Sequence, residues 1–246
     1  MCAAGAGTRV KSFRIVTLLT LLAATMVCAA APGVPIRVEM DVSVEVRGLT
    51  VGEGRDVFEH DGKHYSVTTE ARTVGIARLL KNIVEKRESR GTITDAGLRP
   101  SSFHQQRTGK APNAATFDWE HKELTLDEGG EIEKVPLVAN TFDQTSLAYA
   151  FVFTEPPRGG TLHVNVTDGR KLSEYDIVLV GREKIETPLG NLDTLHFRKV
   201  QPPDDKRGFE FWLSLEHFRL PIRIRILEKD GTAFDSNVTK IRYAGR

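Results

Sequence analysis

Residues 36–47 read Ile-Arg-Val-Glu-Met-Asp-Val-Ser-Val-Glu-Val-Arg, six apolar side chains alternating strictly with six polar ones. A period of two puts all the apolar groups on one face of a strand, whereas a helix would scatter them around its circumference. The segment therefore reads as a strand with one dry and one wet face. The same alternation returns downstream. Leu162, Val164 and Val166 alternate with polar neighbours and end at Asp168-Gly169, while Ile222, Ile224 and Ile226 oppose Arg223 and Arg225. Asp61-Gly62 and Asp230-Gly231 read as hairpin turns and Gly129-Gly130 as a looser one.

Two stretches depart from this rhythm. Ile76, Leu79, Leu80, Ile83 and Val84 recur at helical spacing, but Val74-Gly75 and Lys81-Asn82 leave room only for a short helix. Asp143 is placed to cap a second brief helical segment through Leu147, Ala148 and Phe151. Pro156-Pro157 and Pro202-Pro203 mark surface loops. No repeat, low-complexity tract or linker divides the chain. The predicted fold is mainly β, a single antiparallel β-barrel or strongly curved sheet with one or two short helices.

Ahead of the first strand the composition changes. Arg9, Lys11 and Arg14 precede an apolar run from Ile15 to Val27, and Ala29-Ala30-Ala31 closes it. This is the layout of a cleaved secretory leader. The run is short beside the roughly 20 residues of a spanning helix. Residues 1–30 are expected to be a signal peptide and 31–246 one barrel-like domain, periplasmic and without a transmembrane span. Cys2 and Cys28 both fall in the leader, so the mature protein is expected to have no thiol or disulfide. A chain of about 215 residues buries about 70% of its unfolded surface and can stand without such bridges. Charge is balanced at 34 basic to 33 acidic side chains, which leaves no basic footprint for nucleic acid.

Chemistry is harder to place. The closest histidines, His60 and His64, flank a turn, and His163 and His196 lie in strands, so no metal site is predicted. There is no Gly-x-Ser-x-Gly elbow and no phosphate-cradling glycine loop. Asp118 beside Trp119, with Asp143, Glu183 and His196, forms the candidate polar site; the bland alternative is turn and helix capping. Trp119, Tyr149, Phe211, Trp212 and Phe218 are candidate ligand-binding aromatics, lining a cavity if the barrel is wide enough and packing the core if it is not. Arg198, Lys199, Arg219, Arg223, Arg225 and Arg242 read as a solvated outer face.

Taken in order, several motifs carry a resemblance. They are Ser89-Arg90-Gly91, Gly97-Leu98-Arg99-Pro100, Thr116-Phe117-Asp118-Trp119, the segment Asp143–Tyr149, Gly181–Ile185, Thr187-Pro188-Leu189-Gly190, Leu195–Arg198, Phe211–Ser214 and Leu220–Ile224. In this order and spacing they resemble the bacterial envelope family catalogued as domain of unknown function 3108, over about residues 36 to 244. The resemblance implies an exported, antiparallel, barrel-like protein, with no activity, cofactor or catalytic residues to carry over. The expected function is binding or escorting an apolar or amphipathic envelope component, a lipid or a lipidated protein. The alternatives are a ligand-free interaction protein of envelope assembly and a carboxylate-dependent hydrolase.

Overall fold

A computed structural model describes residues 1, 33–157, 159–202 and 205–245. The expected leader, its cleavage site, Cys2, Cys28 and the loop residue Pro203 lie outside the described residues. The domain begins with β1 (Arg37–Val46), β2 (Leu49–His60) and β3 (His64–Thr73), then a short helix α1 (Gly75–Leu80). It continues with β4 (Val84–Thr94), β5 (Gly97–Arg107), β6 (Asn113–Asp118), β7 (Glu123–Glu128), β8 (Glu131–Pro136) and β9 (Thr141–Asp143). After a 3-10 turn at Ser146–Tyr149 come β10 (Thr161–Thr167), β11 (Leu172–Thr187), β12 (Gly190–Lys199), β13 (Gly208–Ser214), β14 (Pro221–Leu227) and β15 (Ala233–Ala244). The strand predicted from residues 36–47 is β1. Val38 and Met40 are fully buried on its dry face.

All fifteen strands form one sheet. Two antiparallel meanders, β1 to β8 and β10 to β15, join through the pairing of the first strand with the last. The β9–β10 pair alone is parallel. Strands β8 and β9 stand at opposite ends of the strand order, yet Leu137–Asn140 is all that connects them. So short a connection spans at most about 18 Å. The sheet must therefore curl until β9 lies against its first half, which makes it barrel-like although the hydrogen-bonded ladder does not close. Side chains bridge the gap. Ser89 on β4 donates to Asp143 on β9 at 2.6 Å, and Gln144 donates to Gln105 on β5 at 3.2 Å.

The interior is occupied by the chain itself. Residues Ser146–Val152 are all buried. Their tight helical spacing sends Leu147, Ala150 and Phe151 into a cluster with Val164, Ile177, Phe197, Phe211 and Leu213. Ala148, Tyr149 and Val152 point instead into a cluster with Val38, Met40, Phe58, Tyr65, Val67 and Val238. Phe151 stacks on Phe197 at 5.2 Å and Tyr149 on Phe58 at 5.4 Å. This plug ties the two meanders together. The cap position of its 3-10 turn is Thr145, and Asp143, two residues earlier, accepts the Thr145 and Ser146 N–H groups at 2.8 Å each.

Two details correct the sequence reading. Gly129-Gly130 is a tight two-residue connection with φ of 65° and 99°, not a loose one. The Arg47-Gly48 turn, with φ of 52° and 77°, is a further tight hairpin without the Asp-Gly or Asn-Gly signature.

The junction of β2, β1 and β15 is laced by charge on its outer side. Arg242 holds Asp41 through two bonds of 2.7 and 2.9 Å, and Arg55 adds a third at 3.0 Å. The Arg242 bonds chiefly, with help from Arg55, pull the Asp41 carboxyl from 3.8 down to about 2. A depressed folded pKa stabilises the fold above about pH 3.8, and that contribution is lost as pH falls toward 2. Asp41→Asn is therefore expected to melt below wild type at neutral pH, with the gap closing near pH 2. Melting curves across that range measure it. A gap unchanged by acid would show the pair to be inert.

Candidate functional site

The predicted polar residues are spread over three places. Asp118 sits at the β6–β7 turn, where the His121 N–H donates to it at 2.9 Å and the His121 ring meets it at 2.8 Å. Those contacts hold its carboxyl below the usual range. Asp143 is fully buried in the seam between β9 and the β4–β5 pair. It accepts Ser89 Oγ at 2.6 Å, Ser146 Oγ at 2.9 Å and the two N–H groups that start the 3-10 turn. Burial pushes its pKa up while those donors oppose the rise. The expected Asp118–Asp143–Glu183 convergence does not occur, because a turn, the seam and a third surface each claim one member.

Glu183 and His196 do come together. The His196 imidazole lies between Glu183 on β11, at 3.0 Å, and Glu210 on β13, at 2.7 Å. The ring stacks on Trp212 at 4.3 Å, and Trp212 Nε1 donates to Glu183 at 2.6 Å. Arg223 and Arg225 lie over the other parts of that ring, at 5.8 and 6.0 Å. Register explains the group, since His196 pairs with Trp212 and Trp212 with Arg223. The neighbours Phe197, Phe211 and Ile224 pack in the interior, so this row is on the outer face. Trp212 is only 5% exposed, so these polar side chains cover the ring.

The aromatic set does not line one cavity. Trp119 packs at the β6–β7 end, donates Nε1 to the Pro100 carbonyl at 2.6 Å and carries Arg99 over its ring at 4.6 Å. Tyr149 is in the plug, Phe211 in the interior beside Phe197, and Trp212 outside. Phe218 sits in the β13–β14 turn against Tyr243 at 5.9 Å. Phe211 and Trp212 are consecutive in a strand and necessarily face opposite ways. Of the six bases read as a solvated face, Arg219 turns inward to donate Nε to the Phe151 carbonyl at 2.7 Å, and Lys199 departs furthest. It is 6% exposed, pairs with Asp205, and lies over Tyr175 at 4.7 Å.

Three groups escaped the sequence reading. Glu210 completes the His196 pair, and its two-residue offset from Trp212 was the available signal. Ser89 and Tyr65 extend the Asp143 network, with their hydroxyls 3.2 Å apart. Asp56 is half-buried on the same strand face as Phe58, where Tyr149 donates to it at 3.1 Å, and desolvation pushes its pKa up. Among the described residues no three His, Cys, Asp or Glu side chains are grouped to hold a metal. An open concavity of about 520 Å³ lies by β4 to β7, and Lys86, Glu88, His104, Gln106 and Asp127 are among the residues that line it.

The apolar surface that stands out belongs to α1. An amphipathic helix normally buries its apolar stripe, but α1 has no buried residue. Ile76, Leu79 and Leu80 are 78%, 86% and 85% exposed, and Leu49 at the start of the adjoining β2 is 71% exposed. The loop is held in place from below. Val74 N–H donates to the Val51 carbonyl at 2.9 Å, and Thr73 Oγ1 donates to the Lys81 carbonyl and accepts from the Ile83 N–H. Single exposed leucines are ordinary, but four large apolar side chains on one fixed tip are a patch of the kind that marks an interaction site.

A family model described as Protein of unknown function (DUF3108) matches residues 39–237. The chain belongs to that family. Its match spans β1 to β15 and so includes the seam, the plug and α1. Among solved structures it is similar to a β-barrel-like protein of domain of unknown function DUF1849 from Brucella abortus. That pair shares 10% identity, covering 87% of this chain and 99% of the other, with a TM-score of 0.49. An exported protein with a YmcC-like fold from Bacteroides fragilis has 11% identity over 86% and 97% of the two chains, TM-score 0.36. A lipoprotein from Parabacteroides distasonis has 11% identity over 85% and 97%, TM-score 0.37. No curated protein matches the chain. Likeness at this level says nothing about what the DUF3108 chain binds.

Proposed function

We propose that this DUF3108 member is an exported periplasmic protein that binds or escorts an amphipathic envelope component, a lipid or a lipidated protein, on its surface and without catalysis. The exposed apolar tip formed by Ile76, Leu79, Leu80 and Leu49 carries the reading. The filled interior supports it from the other side, because a plug of packed, mostly apolar side chains takes the space where a lumen-type carrier would hold its cargo. The leader predicted at residues 1–30 supplies the compartment. The separation of Asp118, Asp143 and Glu183 removes the arrangement on which the hydrolase alternative depended.

The test is native mass spectrometry of the mature protein, purified without detergent and offered envelope phospholipid or a triacylated peptide. Wild type is expected to carry a stoichiometric extra mass, and the Leu79→Ser/Leu80→Ser protein is expected to lose it. Because both side chains are more than four-fifths exposed, the change should leave stability within about 0.5 kcal/mol. Absence of any bound amphiphile, or binding indifferent to the two serines, would remove the proposal.

A further inference from the structure

We infer that the α1 end of the domain is a membrane-docking tip that seats on an anionic lipid surface, leucines first. The inference rests on the reading that this end engages amphipathic material, and it names the partner. What selects a charged bilayer is the distribution of ions around the apolar patch. The segment Val74–Ile83 contains Arg78 and Lys81 and no acid. The turn Val46–Val51 contributes Arg47 and no acid. The adjoining loop Thr108–Pro112 contributes Lys110, and Thr108 is hydrogen-bonded to Val84 just beyond α1. Arg47, Arg78, Lys81 and Lys110 are all exposed. Acids adjoin this group as well: Glu85 beside Val84, Glu45 opposite Thr50, Asp230, and Glu128 and Glu131 of the β7–β8 turn, whose Gly129 N–H donates to the Pro112 carbonyl at 2.9 Å. Glu85 is already bridged by Arg87 and Arg107 at 3.1 and 3.3 Å. Asp230, in the β14–β15 turn, is engaged by the Thr232 N–H at 2.9 Å. The cations nearest the exposed aliphatic side chains are Arg78 on α1, Lys81 at its C-terminal end and Arg47 beside Leu49, and neither of their two segments contains an acid.

The geometry suits an interface better than a protein groove. Ile76, Leu79 and Leu80 project from a helix too short to offer a long amphipathic face, and α1 forms a point, not a trough. Apolar side chains at such a point reach the boundary between headgroup and acyl chain, while cations one residue away remain among the phosphates. The Thr73 bonds to Lys81 and Ile83 fix the loop before contact, so little ordering is required when it docks. Each cation near an anionic surface strengthens binding about fivefold, and added salt screens that gain over about 8 Å at physiological strength.

Vesicle flotation tests this with two probes, phosphatidylcholine alone and phosphatidylglycerol mixed with phosphatidylethanolamine. The mature protein is expected to float with the anionic vesicles and to release as salt rises. Arg78→Gln/Lys81→Gln should weaken binding about 25-fold, and Leu79→Ser/Leu80→Ser should abolish it. Ile132→Ser, at the exposed edge strand β8, should leave binding intact and controls for general stickiness. Leu79→Trp should shift its fluorescence to the blue on anionic vesicles and be quenched by brominated acyl chains. Equal binding to both vesicles, unaltered by the glutamines, would overturn the anionic-surface inference while leaving an apolar tip. Capture of a triacylated peptide without vesicle binding would likewise overturn the inference and keep the broader reading, with a lipidated protein as partner. Failure to bind vesicles, free lipid or lipopeptide would overturn both.

Discussion

Gly91→Ala is expected to destabilise the fold by at least about 3 kcal/mol, beyond the common range for overpacking. The cause is a close approach of two strands, not backbone torsion. A Cβ built on Gly91 would stand 2.2 Å from the Arg99 carbonyl oxygen, 2.8 Å from Pro100 Cα and 2.8 Å from Tyr65 Cε1. Two of these neighbours are backbone of β5, held by the β4–β5 ladder where its register shifts beside Arg90 and Gly91. The third is the ring whose hydroxyl contacts Ser89, itself the donor to Asp143. A methyl at this point must spread the ladder or displace Tyr65 and so disturb the seam. Urea unfolding should show a lower midpoint for the alanine variant. A midpoint within error of wild type would mean that β4 and β5 separate freely there.

Much of the fold was legible because a period of two is a strong signal. The parity of β1 assigned Val38 and Met40 to the interior, and the Asp-Gly pairs marked the hairpins they close. Topology was less legible. That β1 pairs with β15, and that β8 and β9 flank opposite ends of a curled sheet, depends on contacts between residues far apart in sequence. The segment through Leu147, Ala148 and Phe151 read as a brief helix, but nothing local distinguished a helix packed on a sheet from a plug inside one.

The site was legible in part for the same reason. Strand parity alone puts Phe211 and Trp212 on opposite faces, so the sequence itself argues against one aromatic lining that holds both. The pairing of His196 with Trp212 has no such local signal, since the loop between β12 and β13 leaves their register free. The tip shows the opposite failure. Ile76, Leu79 and Leu80 have helical spacing, which ordinarily argues for burial. A six-residue helix between consecutive strands, bounded by Gly75 and by Lys81-Asn82, stays at the rim and cannot reach the core. That local length limit turned an apparent core motif into an exposed apolar cluster at the rim.

Asp143→Ala is expected to cost about 3–5 kcal/mol, because it strips acceptors from donors that have no water-facing alternative. The Ser89 hydroxyl and the Thr145 and Ser146 N–H groups would lose their partner inside a fully buried site. Thr145 Oγ1 is already buried without one, so the seam has little capacity to absorb more. For a domain of this length such a loss lowers Tm by about 10 °C. Asp143→Asn retains one acceptor oxygen and should fall between the two proteins. Its difference from wild type should also depend on pH. Burial raises the folded pKa of Asp143 above 3.8, so its contribution is full below that value and declines as pH rises through the raised one. The gap between Asp143→Asn and wild type should therefore narrow from acid toward neutral pH, opposite to the trend at Asp41. Thermal melts of the three proteins from pH 3 upward separate these cases. If Asp143→Ala melted with wild type, the curled edges would be held by the plug alone and the seam hydrogen bonds would be incidental.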